Sequence, residues 1–372
     1  MISLPFAPIR FLYRQVAFPL LGLADAEQVH TLALDLLALA ARVPGVSTSA
    51  RLLRGDHDRR LAVRALGLTF PNPIGLAAGF DKNGVAVGPL LELGFGFVEV
   101  GTVTPQPQAG NPRPRLHRLP QHRAFINSLG FPNQGAARVA SRLRRRQRQG
   151  IVGVNLGKGR ETPLEAAVAD YLVGLDHLST LSDYVVINVS SPNTQGLRQL
   201  QARHSLAELT QAVTRRARHL AAQASIPPRP VLLKIAPDLT WPELDDVLDV
   251  AATSDISGIL ATNTTTARAG LPPRYAHLPG GLSGHPLRQR ATEVVRYIAT
   301  HTEGRLPIIG VGGVFSAAEV WEKLEAGASL VQAYTGFIYQ GPTFAFDLQC
   351  GLLDLLDAHG CRTLAEAFPH LR

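Results

Sequence analysis

Asn188-Val189-Ser190-Ser191-Pro192-Asn193-Thr194 puts two side-chain amides and three hydroxyls into one short segment. An amide both donates and accepts hydrogen bonds, and a hydroxyl turns its proton to suit its neighbours. Fed by the β-branched run at 184–189, a loop of this kind suits recognition of a flat, polar, amide-rich ligand. Each of these residues is also a common turn former, so the segment alone reads equally as an ordinary turn. Lys82 follows another apolar run, at 74–78, and Lys234 lies inside a third, at 231–235.

These groups need a frame. Apolar runs at 74–78, 97–101, 151–155, 184–189, 231–235, 256–262, 307–311 and 330–335 alternate with segments of helical composition such as 243–252 and 317–326. Strand–helix alternation repeated eight times predicts an α/β fold, a (β/α)8 TIM barrel, and no sequence repeat supports a solenoid instead. Active sites of such barrels lie at the C-terminal ends of the strands. The polar residues cluster there: Asp81 and Lys82 after the first strand, Thr102 after the second, then Asn155, Asn188 and Lys234 at the ends of the next three. Thr262, Asn263 and Thr264 follow at the sixth, Gly312 and Gly313 at the seventh, Tyr334 and Thr335 at the eighth. Any one of them is explained as a cap or a turn. Their coincidence at equivalent positions is not.

The 372 residues are 45% hydrophobic and 18% charged, which fits a large barrel core with a small extra segment. Cys350 and Cys361 offer no disulfide framework, thiolate metal site or iron–sulfur cluster, and a reducing cytoplasmic setting is expected. The net charge is +8, and Arg142, Arg144, Arg145, Arg146 and Arg148 crowd the end of a helix. Without interleaved aromatics they read as a solvated face rather than a nucleic-acid site. Attraction of the basic molecule to an anionic membrane is a secondary reading.

No apolar run reaches the roughly 18–20 residues that span a bilayer, and no secretory cleavage site is evident. Ile2, Leu4, Phe6, Ile9, Phe11, Leu12, Val16, Phe18, Leu20 and Leu21 nevertheless crowd the opening stretch around Arg10 and Arg14. Ile9, Leu12, Tyr13 and Val16 share a helical face between Pro8 and Pro19. A second helix is predicted from its cap Asp25, with Gln28 three residues on, striped by Val29, Leu32, Leu36 and Leu39 and widened by Ala33, Leu37 and Ala40. Such a pair either plugs the barrel or lies in a membrane interface. An Arg-rich linker near 51–60 divides the chain into a small N-terminal amphipathic helical segment at 1–50 and a barrel at 51–372.

Asn-Val-Ser-Ser-Pro-Asn-Thr closely resembles the catalytic loop of the dihydroorotate dehydrogenases, specifically the membrane-associated, quinone-reducing class 2. The resemblance continues along essentially the whole chain. Ala77-Ala78-Gly79-Phe80-Asp81-Lys82-Asn83-Gly84 is similar to the family segment that contacts flavin mononucleotide (FMN) and whose lysine also holds substrate. Gly101-Thr102-Val103-Thr104-Pro105 and the proline-rich stretch to Arg115 resemble the next signature, with Thr102 as an FMN contact. Asn127-Ser128-Leu129-Gly130-Phe131 resembles the Asn-x-x-Gly-Phe substrate segment; Pro132 departs from the usual asparagine, so no role passes to it. Gly310-Val311-Gly312-Gly313 and Gly280-Gly281-Leu282-Ser283-Gly284 resemble phosphate-side loops and lack a full dinucleotide fingerprint. A single phosphate suits FMN.

The resemblance implies one FMN per chain, contacted by Ala78, Gly79, Phe80, Asp81, Lys82, Thr102, Asn155, Asn188, Lys234, Thr262, Gly284, Gly313, Tyr334 and Thr335. It implies that dihydroorotate is held by Lys82, Asn127, Ser128, Leu129, Gly130, Phe131, Asn188, Asn193, Asn263 and Thr264, with Ser191 as catalytic base. Ser191 would take the C5 proton of dihydroorotate while the C6 hydride passes to the flavin, giving orotate. Thr194 and Phe131 would border the water path by which the proton leaves, and Lys234 would stabilise negative charge on the flavin ring. Relatives that use fumarate or NAD carry cysteine as base. A serine with an apolar N-terminus implies a membrane quinone as final acceptor, in pyrimidine (UMP) biosynthesis, with no iron–sulfur partner subunit. The helix pair would then rest on the cytoplasmic side of the cell membrane as a peripheral anchor and form a quinone tunnel, lined by residues that include His30 and Arg118. No metal and no nucleic acid is implied. Two alternatives remain: another FMN-dependent dihydropyrimidine oxidoreductase of the same fold, expected to carry a cysteine acid near the flavin, and a non-catalytic, membrane-bound scaffold barrel.

Overall fold

The structure, a computed structural model, describes residues 6–43, 58–146 and 149–371. Ile2, Leu4, the linker at 51–57 and Arg148 lie outside the described residues.

The chain first forms a hairpin, β1 (Val63–Ala65) and β2 (Leu68–Phe70), then the barrel strands β3 (Ile74–Leu76) and β4 (Phe97–Val103). An antiparallel excursion, β5 (Leu116–Leu119) and β6 (Ala124–Asn127), precedes β7 (Ile151–Leu156), β8 (Tyr184–Asn188), β9 (Val231–Ile235) and β10 (Gly258–Ala261). β11 (Gly281–Gly284) returns to pair with β6, and β12 (Ile308–Val311) and β13 (Leu330–Ala333) complete the chain's strands. β3, β4, β7, β8, β9, β10, β12 and β13 close into a parallel barrel, with β13 hydrogen-bonded back to β3. All eight expected strands are there, each end within two residues of its expected place. The sheet of β5, β6 and β11 was not expected. Within the segment 280–284, expected from its resemblance to be a phosphate-side loop, Gly281–Gly284 forms an edge strand on β6.

Along each barrel strand the side chains alternate between two packed layers. Val152, Val154, Val185, Ile187, Leu233 and Ile259 face outward under the helices. Phe97, Tyr184, Leu232, Leu260, Ile309 and Val331 join a second core that includes the barrel interior. The hairpin closes the barrel at the N-terminal ends of its strands, where the Phe70 ring meets Phe97 at 5.1 Å. Gly153 leaves room for Tyr184: a Cβ there would lie 2.1 Å from the Tyr184 ring.

The N-terminal pair comprises α1 (Ala7–Leu12), a π-helical turn Tyr13–Ala17, α2 (Phe18–Leu21) and α3 (Ala26–Ala40). Pro19 has no N–H to return to the preceding turn, which accounts for the local widening. Asp25 caps α3 by accepting the N–H groups of Glu27 (3.1 Å) and Gln28 (2.9 Å). The expected single stripes divide. Tyr13 turns inward and donates to the Ile338 carbonyl at 2.6 Å, while Ile9, Leu12 and Val16 are exposed. On α3, Val29, Ala33 and Leu37 line an internal cavity, and Leu32, Leu36 and Leu39 face out. Among the described residues thirteen large apolar side chains are exposed, and eleven of them lie at 9–43. No described helix is long and apolar enough to cross a membrane.

Candidate active site

One cavity of about 430 Å³ runs from the helix pair into the barrel mouth at the C-terminal strand ends. At the helix end it is lined by Tyr13, Phe18, Val29, His30, Leu37 and Arg118, and at the far end by Lys82, Asn127, Phe131, Ser191, Asn193 and Thr264. Between them stand Ala78, Gly79, Phe80, Thr102, Asn188, Lys234, Thr262, Asn263, Gly284, Gly313, Tyr334 and Thr335, each contributed by a strand end or the loop after it. Leu129 and Gly130 complete the wall.

The floor is a closed polar network. Asn188 Nδ2 donates to Thr102 Oγ1 (2.9 Å) and to Asn155 Oδ1 (3.0 Å), and Thr102 donates to the same Asn155 oxygen at 2.5 Å. Asn155 Nδ2 then donates to Glu99 Oε1 at 2.8 Å. Glu99, fully buried in the middle of β4, also accepts from Gln332 Nε2 (2.8 Å) and Tyr184 Oη (3.3 Å), and its Oε1 lies 4.0 Å from Lys234 Nζ. A carboxyl group is tolerated in such a place only when donors and a cation surround it. Burial pushes the Lys234 ammonium below the usual lysine range, and Glu99 opposes that shift.

The far end is built from the loop after β8. Ser191, 4% exposed, accepts the Asn193 N–H at its Oγ (3.2 Å), which orients the hydroxyl. Asn193 Nδ2 donates to Asn127 Oδ1 at 3.0 Å, and Asn263 Nδ2 to Ser190 Oγ at 2.9 Å. Asn193 Oδ1, Thr194 Oγ1 and Gln332 Oε1 are buried without a hydrogen-bond partner. Buried polar atoms are almost always paired, so those of Asn193 and Gln332, both residues of the cavity wall, call for a donor from a bound molecule. Burial pushes the Lys82 ammonium down to about 8, opposed by Glu27 and Asp81. The wall is therefore amide-rich with a cation at each level, suited to a planar anion.

At the helix end, His30 Nε2 lies 2.7 Å from the Phe80 carbonyl, and its ring meets that of Phe80 edge-on. Burial, with help from Lys82, pushes the imidazole down to about 3, so it is neutral and donates to that carbonyl. Arg118 donates to the carbonyls of Gly22 (3.2 Å) and Ala24 (2.7 Å), holding the turn between α2 and α3.

Three expected contact residues stand apart from the cavity wall. The Asp81 carboxylate turns away and accepts the N–H groups of Asn83, Val85 and Ala86. Asn155 lies one layer beneath, behind Thr102 and Asn188. Ser128 takes part through its backbone, where its carbonyl accepts from Asn111 Nδ2 at 2.9 Å. The sequence reading missed Glu99 and Gln332, although a lone acid inside the apolar run at 97–103 is a visible signal. Arg142 is not wholly solvated either, since its guanidinium donates to Gln134 Oε1 and to the Asn83 carbonyl. Cys350 and Cys361 are both remote from the cavity wall, so the cysteine expected of the dihydropyrimidine reductase alternative is absent there.

Residues 60–356 match the family described as dihydroorotate dehydrogenase. The chain is 53% identical to the dihydroorotate dehydrogenase (quinone) of Synechococcus sp. (strain JA-3-3Ab), over 92% of each chain. It is 51% identical to the enzyme of the same name from Thermus thermophilus, covering 92% of this chain and 96% of that one. The crystal structure of the Eimeria tenella dihydroorotate dehydrogenase in complex with ferulenol superposes with a TM-score of 0.85 at 37% identity, covering 92% of this chain and 95% of the other.

Proposed function

The chain belongs to the dihydroorotate dehydrogenase family, and from that premise we propose how its cavity oxidises dihydroorotate to orotate with a quinone as final acceptor. The observation that carries the reading is the convergence of Ser191, Lys82, four asparagines and Lys234 on one cavity that opens between the N-terminal helices.

FMN fits the middle of that cavity. Gly313, at φ +72°, lies so close to Arg288 that a Cβ would meet its Cα at 2.4 Å, so only backbone fits there, on the wall it shares with Thr335 and Gly284. Backbone N–H donors suit a phosphate. The unpartnered Gln332 Oε1 suits a ring N–H, and Lys234 lies on the same wall. When bound, FMN supplies the hydride acceptor and the route by which two electrons reach the quinone.

The protein's own residues do the rest. Asn127, Asn193 and Asn263 pair with the N–H and C=O groups of the pyrimidine ring, Asn188 fixes the floor beneath them through Thr102 and Asn155, and the Lys82 ammonium pairs with the ring's carboxylate. Ser191 Oγ removes the C5 proton. A hydroxyl is a weak base, so it needs fixed geometry, exclusion of water and an onward acceptor. The Asn193 N–H fixes it, burial excludes water, and the unpartnered Thr194 hydroxyl in the same loop offers the first onward acceptor. Lys234, 4.0 Å from Glu99, would offset negative charge on a bound flavin. The apolar helix end, with a neutral His30, admits an uncharged quinone. The eleven exposed apolar residues at 9–43 support resting of the pair on a membrane surface, as the expected 1–50 unit does.

The visible spectrum of the purified protein tests this reading. We expect a flavin band that bleaches on anaerobic addition of dihydroorotate and recovers with a quinone. Colourless protein that takes up no added FMN, or a band indifferent to dihydroorotate, overturns it.

A further inference from the structure

Glu27 lies in the first turn of α3, outside the barrel, yet its carboxylate is bound by a buried arginine. Arg115 Nε donates to Glu27 Oε2 at 2.9 Å and Nη2 to Oε1 at 2.5 Å, in the two-pronged geometry that fixes orientation as well as charge. Arg115 is 6% exposed and its remaining donor atom is also engaged: Nη1 binds the carbonyls of Ala109 (2.7 Å) and Asn111 (2.6 Å). The turn that carries Asn111 is thus gripped from the helix side. Asn111 Nδ2 in turn divides its two protons between the Ser128 carbonyl (2.9 Å) and the Asn193 carbonyl (3.0 Å). The first belongs to the substrate segment. The second lies two residues from Ser191, and the Asn193 N–H is the donor that orients the Ser191 hydroxyl.

We propose that Glu27 is a positioning residue for dihydroorotate oxidation: through Arg115 and Asn111, α3 holds the Ser191 loop and the Asn127–Phe131 segment in register. This rests on the reading of Ser191 as the base. The membrane-facing helix therefore serves both ends of the cavity. His30 meets the flavin-side backbone at Phe80, and Glu27, three residues earlier, reaches the substrate side. The exposed Arg113 also pairs with Glu27, at 3.3 Å, but touches neither segment.

The test uses full-length holoenzyme and reads the two half-reactions separately. In Glu27→Gln the limiting rate of anaerobic flavin bleaching by dihydroorotate should fall about tenfold, since small misplacement of reacting groups is costly. FMN content, and reoxidation of dithionite-bleached enzyme by a short-tailed quinone, should stay within about twofold of wild type. Asn111→Ala, which leaves no buried charge unpaired, should show the same split. The double variant should be no slower than Asn111→Ala alone, because the two act in one chain of contacts. Wild-type bleaching in both single variants overturns the proposal. Equal loss in both half-reactions overturns it too, since it marks a purely structural role. A changed pH dependence of orotate binding with an unchanged limiting rate also overturns it, since that is the mark of Glu27 acting only on the Lys82 charge. Ser191→Ala, run alongside, separates the claims: if it bleaches as fast as wild type, the catalytic reading fails, and if it alone is slow, only the role of Glu27 fails.

Discussion

Lys82 carries the most directly testable electrostatics of the site. Its ammonium is pushed down to about 8 by burial, so the free enzyme loses this charge as pH rises through about 8. Orotate stays anionic throughout, and a carboxylate loses its partner as pH rises. The sign follows: affinity is full below about pH 8 and falls above it, approaching tenfold per unit. Titrating orotate against the enzyme between about pH 6 and about pH 9.5 should show this bend, and Lys82→Arg should remove it because arginine stays charged throughout. A flat profile in the wild type would separate Lys82 from the carboxylate. His30 adds no bend of its own, because burial keeps it neutral across that range. The gathering of Lys82, Ser191 and the asparagines on one cavity wall was legible because each sits at a strand end or in the loop after it. Glu27 and Arg115 were not. They are 88 residues apart, and nothing in either neighbourhood announces the other.

At the scale of the element, β4 shows what a strand contributes besides a backbone. Its centre presents Glu99 to four partners drawn from β7, β8, β9 and β13. The carboxylate therefore ties together strands that share no hydrogen bonds with β4, apart from β7. Glu99→Ala leaves a buried ammonium and three other donors without their acceptor, and should cost about 3–5 kcal/mol in stability, as broken buried ion pairs do. Glu99→Gln keeps an oxygen acceptor and should cost less. Urea unfolding at saturating FMN measures both, and a loss below about 1 kcal/mol for the alanine variant would mean that water or rearrangement replaces the carboxylate. The eight barrel strands were legible from apolar runs long enough to stand out from their helices. β5, β6 and β11 were not, because four-residue strands with little apolar alternation owe their existence to pairing with one another rather than to their own pattern.

The whole molecule is a barrel with one greasy cap. The two faces of α3 divide its labour: Val29, Ala33 and Leu37 line the cavity, while Leu32, Leu36 and Leu39, each more than half exposed, face away from it. Replacing those three outward leucines together by serine should weaken co-sedimentation with anionic liposomes severalfold, because each removes apolar area available to the lipid. Orotate affinity and oxidation by a short-tailed quinone should be unchanged, since no cavity residue is altered. Loss of both would show that the outward face holds α3 on the barrel instead. The Glu27–Arg115 and His30–Phe80 contacts join the helices of the expected 1–50 unit to the barrel.

If the helix pair rests on a membrane as proposed, that outward apolar face also sets the kind of space in which the acceptor is encountered. A long-tailed quinone is dissolved in a sheet, and an enzyme resting on the sheet meets it by lateral diffusion. The relevant measure is then the mole fraction of quinone among lipids, not its amount per volume of buffer. At a fixed amount of quinone, added lipid dilutes it within the surface and slows turnover. Added water changes nothing while the enzyme stays adsorbed. Dihydroorotate arrives from the opposite, three-dimensional phase, so each catalytic cycle joins two reservoirs of different dimension.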